Sequence, residues 1–233
     1  MSGCFLAALR AAPAPIIAEI KPQSPKDGEL LAGRSITAIA RAYQRAGVPC
    51  LSVTTGKWHG GAPAMIAELA ASGLPVLRKD FIATRGHLLQ SRDLGASAVL
   101  LTCTLLRPAD VRRLSDEALA LGLTPFIEAA STDELAGLDL AAGAILAVNN
   151  RNIREREMDD GGIGRSLDLY GQARALAPSL LASASAIQTP QDVRALRNCG
   201  YDALLIGTAL MSGSDPEATT RAMIEAARMD AAA

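Results

Sequence analysis

Eight short, nearly continuous apolar runs recur along this chain, each followed by a stretch of helical patterning. That alternation limits the fold more than any other feature. The runs are Ile16–Lys21, Cys50–Thr54, Val76–Lys79, Ala98–Thr102, Pro125–Glu128, Ile145–Asn149, Leu180–Ala184 and Ala203–Ile206. Most are β-branched or leucine-rich without polar alternation, as strands buried on both faces of a parallel sheet are. Between the first two, Ser35–Ala46 sets Ile36, Ile39, Ala40 and Tyr43 at helical spacing, and Gly47 supplies a stop. Pro108–Leu121 ends at Gly122, Ser131 with Glu134 forms a capping-box pattern, and Thr189 precedes Pro190 at a first helical position with Gly200 beyond. Parallel strands need such crossovers, and eight units recurring roughly every 20–36 residues close a barrel. The expected fold is α/β, a (β/α)8 TIM barrel, as a single domain over 1–233 with a short N-terminal extension (1–14). A doubly wound open sheet is the alternative, but no glycine-rich dinucleotide fingerprint follows the first strand.

Composition narrows the partners. The formal net charge of −1 gives no basic field for nucleic acid, and 3% aromatic residues give no stacking array. No run is long enough for a membrane helix, and the N-terminal MSGCFLAALRAAPAP is too short and too weakly apolar for a secretory signal. Cys4, Cys50, Cys103 and Cys199 are far apart and form no CxxC, which reads as reduced cytoplasmic thiols. His59 and His87 are the only histidines, so no metal-ligand cluster is expected. Monomer and homodimer are both open.

In barrels of this kind the reacting groups sit where strands run into βα loops. Polar residues collect at those points: Glu19 and Lys21 at the first strand, Lys79 and Phe81 at the third, Glu128 at the fifth, Asn149 and Arg151 at the sixth. Alternation puts Glu19 and Lys21 on one face, and Lys79 with Phe81 if the chain stays extended. Each alone could be a solvated ion pair. Together they put two lysines, two glutamates and an asparagine around one mouth, a set suited to general acid–base chemistry. A lysine there can protonate a carbonyl oxygen as it is attacked, and a glutamate can remove a proton later.

A phosphate site is expected where such barrels often have one, after strands 7 and 8. Those loops begin Ala184-Ser185-Ala186 and Ile206-Gly207-Thr208. Small residues let backbone N–H groups approach an anion, hydroxyls add donors, and Lys21 could balance the charge. A pair of tight turns into helices is the alternative reading.

At these residues the chain resembles the indole-3-glycerol phosphate synthase family, from about Pro15 to Pro216. IIAEIKPQSPKDG is similar to the strand-1 signature, with Glu19, Lys21, Ser24 and Pro25 in place. LPVLRKDFI, FIEAAS, AVNNRNI and DALLIGTALM match the family at strands 3, 5, 6 and 8. The resemblance implies ring closure of 1-(2-carboxyphenylamino)-1-deoxyribulose 5-phosphate, with loss of carbon dioxide and water and without cofactor or metal. It implies Lys79 as general acid for ring closure, and Glu128 and Lys21 for dehydration, with acid and base unassigned between them. Glu19 would orient the lysines and the substrate, Asn149 and Arg151 would contact the substrate, and Phe81 would pack on its aromatic ring. Ser185, Ala186, Gly207 and Thr208 would hold the phosphate.

Three departures bear on the substrate. The family's strand-7 Glu-Ser-Gly-Ile is here Ala184-Ser185-Ala186-Ile187, so a carboxylate is lost and a glycine gains a methyl group. The family usually carries a longer segment before strand 1, with an extra helix over the site, where only 15 residues precede Ile16 here. After strand 2 the chain reads Lys57-Trp58-His59-Gly60-Gly61, and His59 stands where the family has an aromatic, beside Trp58, as a candidate ligand contact. The polar stretch Asn152–Arg165 is a candidate lid. A paralogue acting on another phosphorylated substrate in specialised metabolism, and a catalytically silent sugar-phosphate binder, are the competing readings.

Overall fold

The computed structural model describes residues 4–151 and 162–228. Helix α1 (Cys4–Ala11) precedes eight strands: β1 (Ile16–Ile20), β2 (Cys50–Thr54), β3 (Val76–Lys79), β4 (Ala98–Thr102), β5 (Thr124–Ala129), β6 (Ile145–Asn149), β7 (Leu180–Ala184) and β8 (Ala203–Ile206). All pair in parallel and in sequence order, and β8 closes on β1, with Ile16 opposite Leu204 and Ala18 opposite Ile206. Each strand runs into a helix: α2 (Ile36–Ala46), α3 (Ala64–Ala70), α4 (Arg85–Asp93), α5 (Pro108–Ala120), α6 (Thr132–Ala136), α7 (Gly164–Ala175), α8 (Pro190–Cys199), and α9 (Thr208–Met211) with α10 (Pro216–Ala227). The expected (β/α)8 TIM barrel is the observed fold.

Boundaries moved where local chemistry intervened. β1 stops at Ile20 because Pro22 offers no N–H and restrains Lys21 before it. The chain then turns through a small hairpin, Gln23–Ser24 against Gly28–Glu29. β5 extends one residue further at each end than expected. Ser35 caps α2 by accepting the Ala38 N–H, and Gly47 ends it at φ +96°, a left-handed conformation that glycine adopts without penalty. Thr189 and Asp192 form a reciprocal capping box. At α6 only half of the expected box forms. Ser131 accepts the Glu134 N–H, but the Glu134 carboxylate turns to the Ala130 N–H and the Thr104 hydroxyl, tying α6 to the β4 loop.

The period-2 alternation of strands divides the core in two. Ile17, Cys50, Leu77, Phe126, Ile145 and Leu205 fill the barrel interior, while Ile16, Leu51, Val99, Leu146 and Leu204 face the helices. Helix α1 belongs to the interior cluster through Phe5, Leu6 and Leu9. Cys50, at the start of β2, donates to the Phe5 carbonyl, and Arg10 donates to the carbonyl of Ser179, just before β7. The extension is therefore the floor of the barrel, on the face away from the strand ends that carry the charged groups. Burying its three apolar side chains stabilises the fold by about 1.5–3 kcal/mol each. Among the described residues no helix is long and apolar enough to cross a membrane.

Candidate active site

Inward positions near the C-terminal ends of the strands switch from apolar to charged. On β1, Ile17 fills the interior and Glu19, two residues on, points into the mouth above it. Glu19, Lys21, Lys79, Glu128 and Asn149 are all buried, none more than 9% exposed. Burying ionised groups costs several kcal/mol each unless they find partners, so five polar side chains in one mouth need a reason other than packing.

Partners are present. Lys79 Nζ lies 3.4 Å from Glu19 Oε2, an ion pair that reaches across the mouth from β3 to β1, past β2. Asn149 Nδ2 donates to Glu128 Oε1 at 2.8 Å, joining β6 to β5, and Asn149 Oδ1 accepts the Arg151 N–H at 2.9 Å. Gly207 packs so closely on Glu19 that a Cβ there would sit 2.6 Å from Glu19 Oε1. A side chain at this position would push the Glu19 carboxylate from where it meets Lys79.

Beside Glu19 opens a cavity of about 340 Å³ between β1, β7 and β8. Lys21, Ser24, Arg151, Ser185, Ala186, Gly207 and Thr208 line it together with Glu19. The backbone at Ser185 and Ala186 is left-handed, φ +67° and +56°, a conformation that costs a side-chain-bearing residue roughly 1–2 kcal/mol. Asn150 holds that turn. Its amide donates to the Ser183 hydroxyl and to the carbonyls of Ala184 and Ser185, each at 3.1 Å, while its oxygen accepts the Ser166 N–H at the start of α7. Ala184 itself is fully buried and lines the barrel interior.

A third group sits on the β2 and β3 loops. Trp58 stacks on Phe81 with ring centroids 4.6 Å apart. The chain does not stay extended past Lys79. Asp80 bends it, accepting the Phe81 N–H, the Thr55 hydroxyl at 2.7 Å and Arg78 Nη2 at 3.2 Å, and so aims Phe81 independently of strand alternation. His59 is buried with Nδ1 3.1 Å from the Gln23 carbonyl, bracing the β2 loop against the β1 hairpin, and does not line the cavity. Pro25 is exposed on that hairpin, outside the cavity lining.

Sequence reasoning missed Asn150, Asp80 and the cavity residues Lys26, Asp27 and Ser212. The Ser24 hydroxyl donates to Asp27 at 2.9 Å. Cys103 follows β4 near this chemistry, but burial and the neighbouring Glu134 and Glu128 carboxylates push its thiol up to about 12, which removes it as a nucleophile near neutral pH. No cluster of metal-ligating side chains occurs among the described residues. Residues 152–161, most of the candidate lid, lie outside the described residues.

This arrangement supplies a cationic proton donor paired with a carboxylate, a second carboxylate held by an amide, a cavity large enough for a small-molecule ligand, and an aromatic stack. Comparison with known proteins agrees with it. A family profile described as indole-3-glycerol phosphate synthase matches residues 4–223. The indole-3-glycerol phosphate synthase of Thermococcus kodakarensis is 40% identical over 215 residues, covering 90% of this chain and 92% of the relative. The corresponding protein of Pyrococcus furiosus is 38% identical, with 91% and 92% covered. Streptomyces coelicolor indole-3-glycerol phosphate synthase 2 is 36% identical, with 94% and 84% covered. A match of this extent favours neither competing reading, and the chain belongs to the indole-3-glycerol phosphate synthase family.

Proposed function

We propose that this chain closes the indole ring of 1-(2-carboxyphenylamino)-1-deoxyribulose 5-phosphate, releasing carbon dioxide and water to form indole-3-glycerol phosphate. The enzyme is a carboxy-lyase acting on a small phosphorylated substrate, as its family membership implies. The observation that carries the assignment of roles is the buried Lys79–Glu19 pair beside the cavity.

The sugar phosphate enters the β1–β7–β8 cavity, where Ser185, Ala186, Gly207 and Thr208 meet the phosphate and Lys21 with Arg151 balances its charge. The carboxyphenyl ring then reaches toward Phe81. In this pose the ring carbon bearing the carboxylate attacks the ribulose carbonyl. Lys79 delivers a proton to the oxygen as charge develops there, and Glu19 keeps the ammonium aimed and charged. Carbon dioxide leaves with its electron pair returned to the ring. The new hydroxyl departs as water, and a proton is removed from the same framework. Glu128, oriented by Asn149, and Lys21 serve this dehydration.

Nothing in this scheme needs a cofactor or metal. The reading places the enzyme in the cytoplasm as one barrel domain, a monomer or homodimer. The test is direct: purified protein with the substrate should develop indole fluorescence. Lys79→Met should abolish turnover with little change in substrate affinity, because the proton matters mainly in the transition state. Near-normal kcat in that variant would refute these roles.

A further inference from the structure

Arg34 is not among the reacting groups, yet it joins two walls of the cavity. It lies just before α2, half-buried, at the end of the loop that carries Lys21, Ser24, Lys26 and Asp27. Among the described residues its guanidinium makes four hydrogen bonds, all to backbone carbonyls. Nε donates to Leu31 at 2.8 Å and Nη2 to Leu30 at 2.9 Å, both in its own loop. Nη2 also donates to Met211 at 2.6 Å, and Nη1 to Gly213 at 2.9 Å, in the turn after β8 that carries Gly207, Thr208 and Ser212.

We infer that Arg34 is a positioning residue for phosphate binding, clamping the β1 loop to the β8 turn so that both walls hold their donors at the spacing a phosphate requires. This rests on the phosphate assignment above and goes beyond it. The geometry suits arginine alone. A planar fork of five donors can address carbonyls in two directions at once, whereas a lysine ammonium is a compact point of charge. Four carbonyls converging on one guanidinium are under-satisfied if it is removed, so the loops would move apart to find water. The four carbonyls that Arg34 holds belong to the β1 loop and the β8 turn, not to β3, which carries Lys79, so the effect falls on binding.

The test uses Arg34→Met and Arg34→Lys in the full chain, with inorganic phosphate as the probe. Calorimetry should show phosphate bound about 10-fold or more weaker in both variants, with KM for the sugar phosphate raised in parallel and kcat within about 2-fold of wild type. A residue that only stabilised the fold would lower the urea midpoint and leave phosphate affinity and KM in place. If Arg34→Met fails to fold, Arg34→Lys carries the measurement, because it keeps the charge and loses only the fork. Phosphate affinity and KM both unchanged in a folded variant would overturn the clamp. Wild type that binds phosphate but does not turn over the sugar phosphate would overturn the proposed reaction and leave the clamp standing on the phosphate measurement. Wild type that binds no phosphate would overturn the cavity assignment and the clamp together.

Discussion

Removing the ammonium from the Lys79–Glu19 pair tests whether the two groups are bound by charge as well as by proximity. In Lys79→Met the Glu19 carboxylate stays buried, pressed against Gly207, without its partner at 3.4 Å. Breaking one half of a buried pair typically costs about 3–5 kcal/mol. Lys21, which lines the same cavity, offsets some of that. We expect Lys79→Met to lose about 2–3.5 kcal/mol at pH 7. Lys79→Met combined with Glu19→Gln removes the orphaned charge and should return to within about 1 kcal/mol of wild type. The double variant should remain inactive, separating stability from catalysis. Urea denaturation at pH 7 reads all of this. A single variant that loses under about 1 kcal/mol, or a double variant no more stable than the single, would show that the pair is not held by charge.

Two further perturbations probe other parts of the molecule. Ala186→Gly should relieve a left-handed residue at about 1–2 kcal/mol and cost about 0.5–1 kcal/mol in unfolded-chain entropy, a net gain of roughly 0.5–1 kcal/mol. A lower thermal midpoint in that variant would show that the methyl group is packed to advantage. Folding should also weaken in alkali. Burial raises the titration of Cys103 to about 12, and it raises Cys50, Tyr43 and Tyr201 as well. The unfolded chain releases these protons from about pH 9 upward while the folded chain keeps them, so stability falls as pH rises through that window. A urea midpoint at pH 10 equal to that at pH 8 would contradict this.

The fold was legible because strands buried on both faces leave little room for ambiguity. Cys50–Thr54, Ala98–Thr102, Ile145–Asn149, Leu180–Ala184 and Ala203–Ile206 were expected at the limits observed. Lys21 fell outside β1 because a proline one residue on decides the matter, whatever the apolar run suggests. Helix α1 was not legible. Its eight residues carry a weak pattern, and the surface that Phe5, Leu6 and Leu9 cover is assembled from residues on every strand of the barrel, most of them far from it in sequence.

For the site, legibility followed the kind of partner each residue takes. Glu19, Lys79, Glu128 and Asn149 could be singled out because charge or amide at the inward end of an apolar strand has no packing rationale. That Glu19 would meet Lys79 and Asn149 would meet Glu128 could not be read, since both pairings depend on barrel closure. Asn150, Asp80 and Arg34 went unnoticed for a different reason. The partners of Asn150 and Arg34 are largely backbone N–H and C=O groups, which every residue carries, so no companion residue type marks them, while Asp80 meets Thr55 and Arg78 only through the bend that ends the strand. His59 illustrates the same point from the other side. As a rare residue type beside the expected substrate ring it invited a ligand role, and its ring meets the Gln23 carbonyl and tilts against Trp58. Side chains that bond to backbone hold loops in place, and those loops carry the groups that sequence patterns do reveal. The residues hardest to see from sequence are therefore the ones on which the spacing of the visible ones depends.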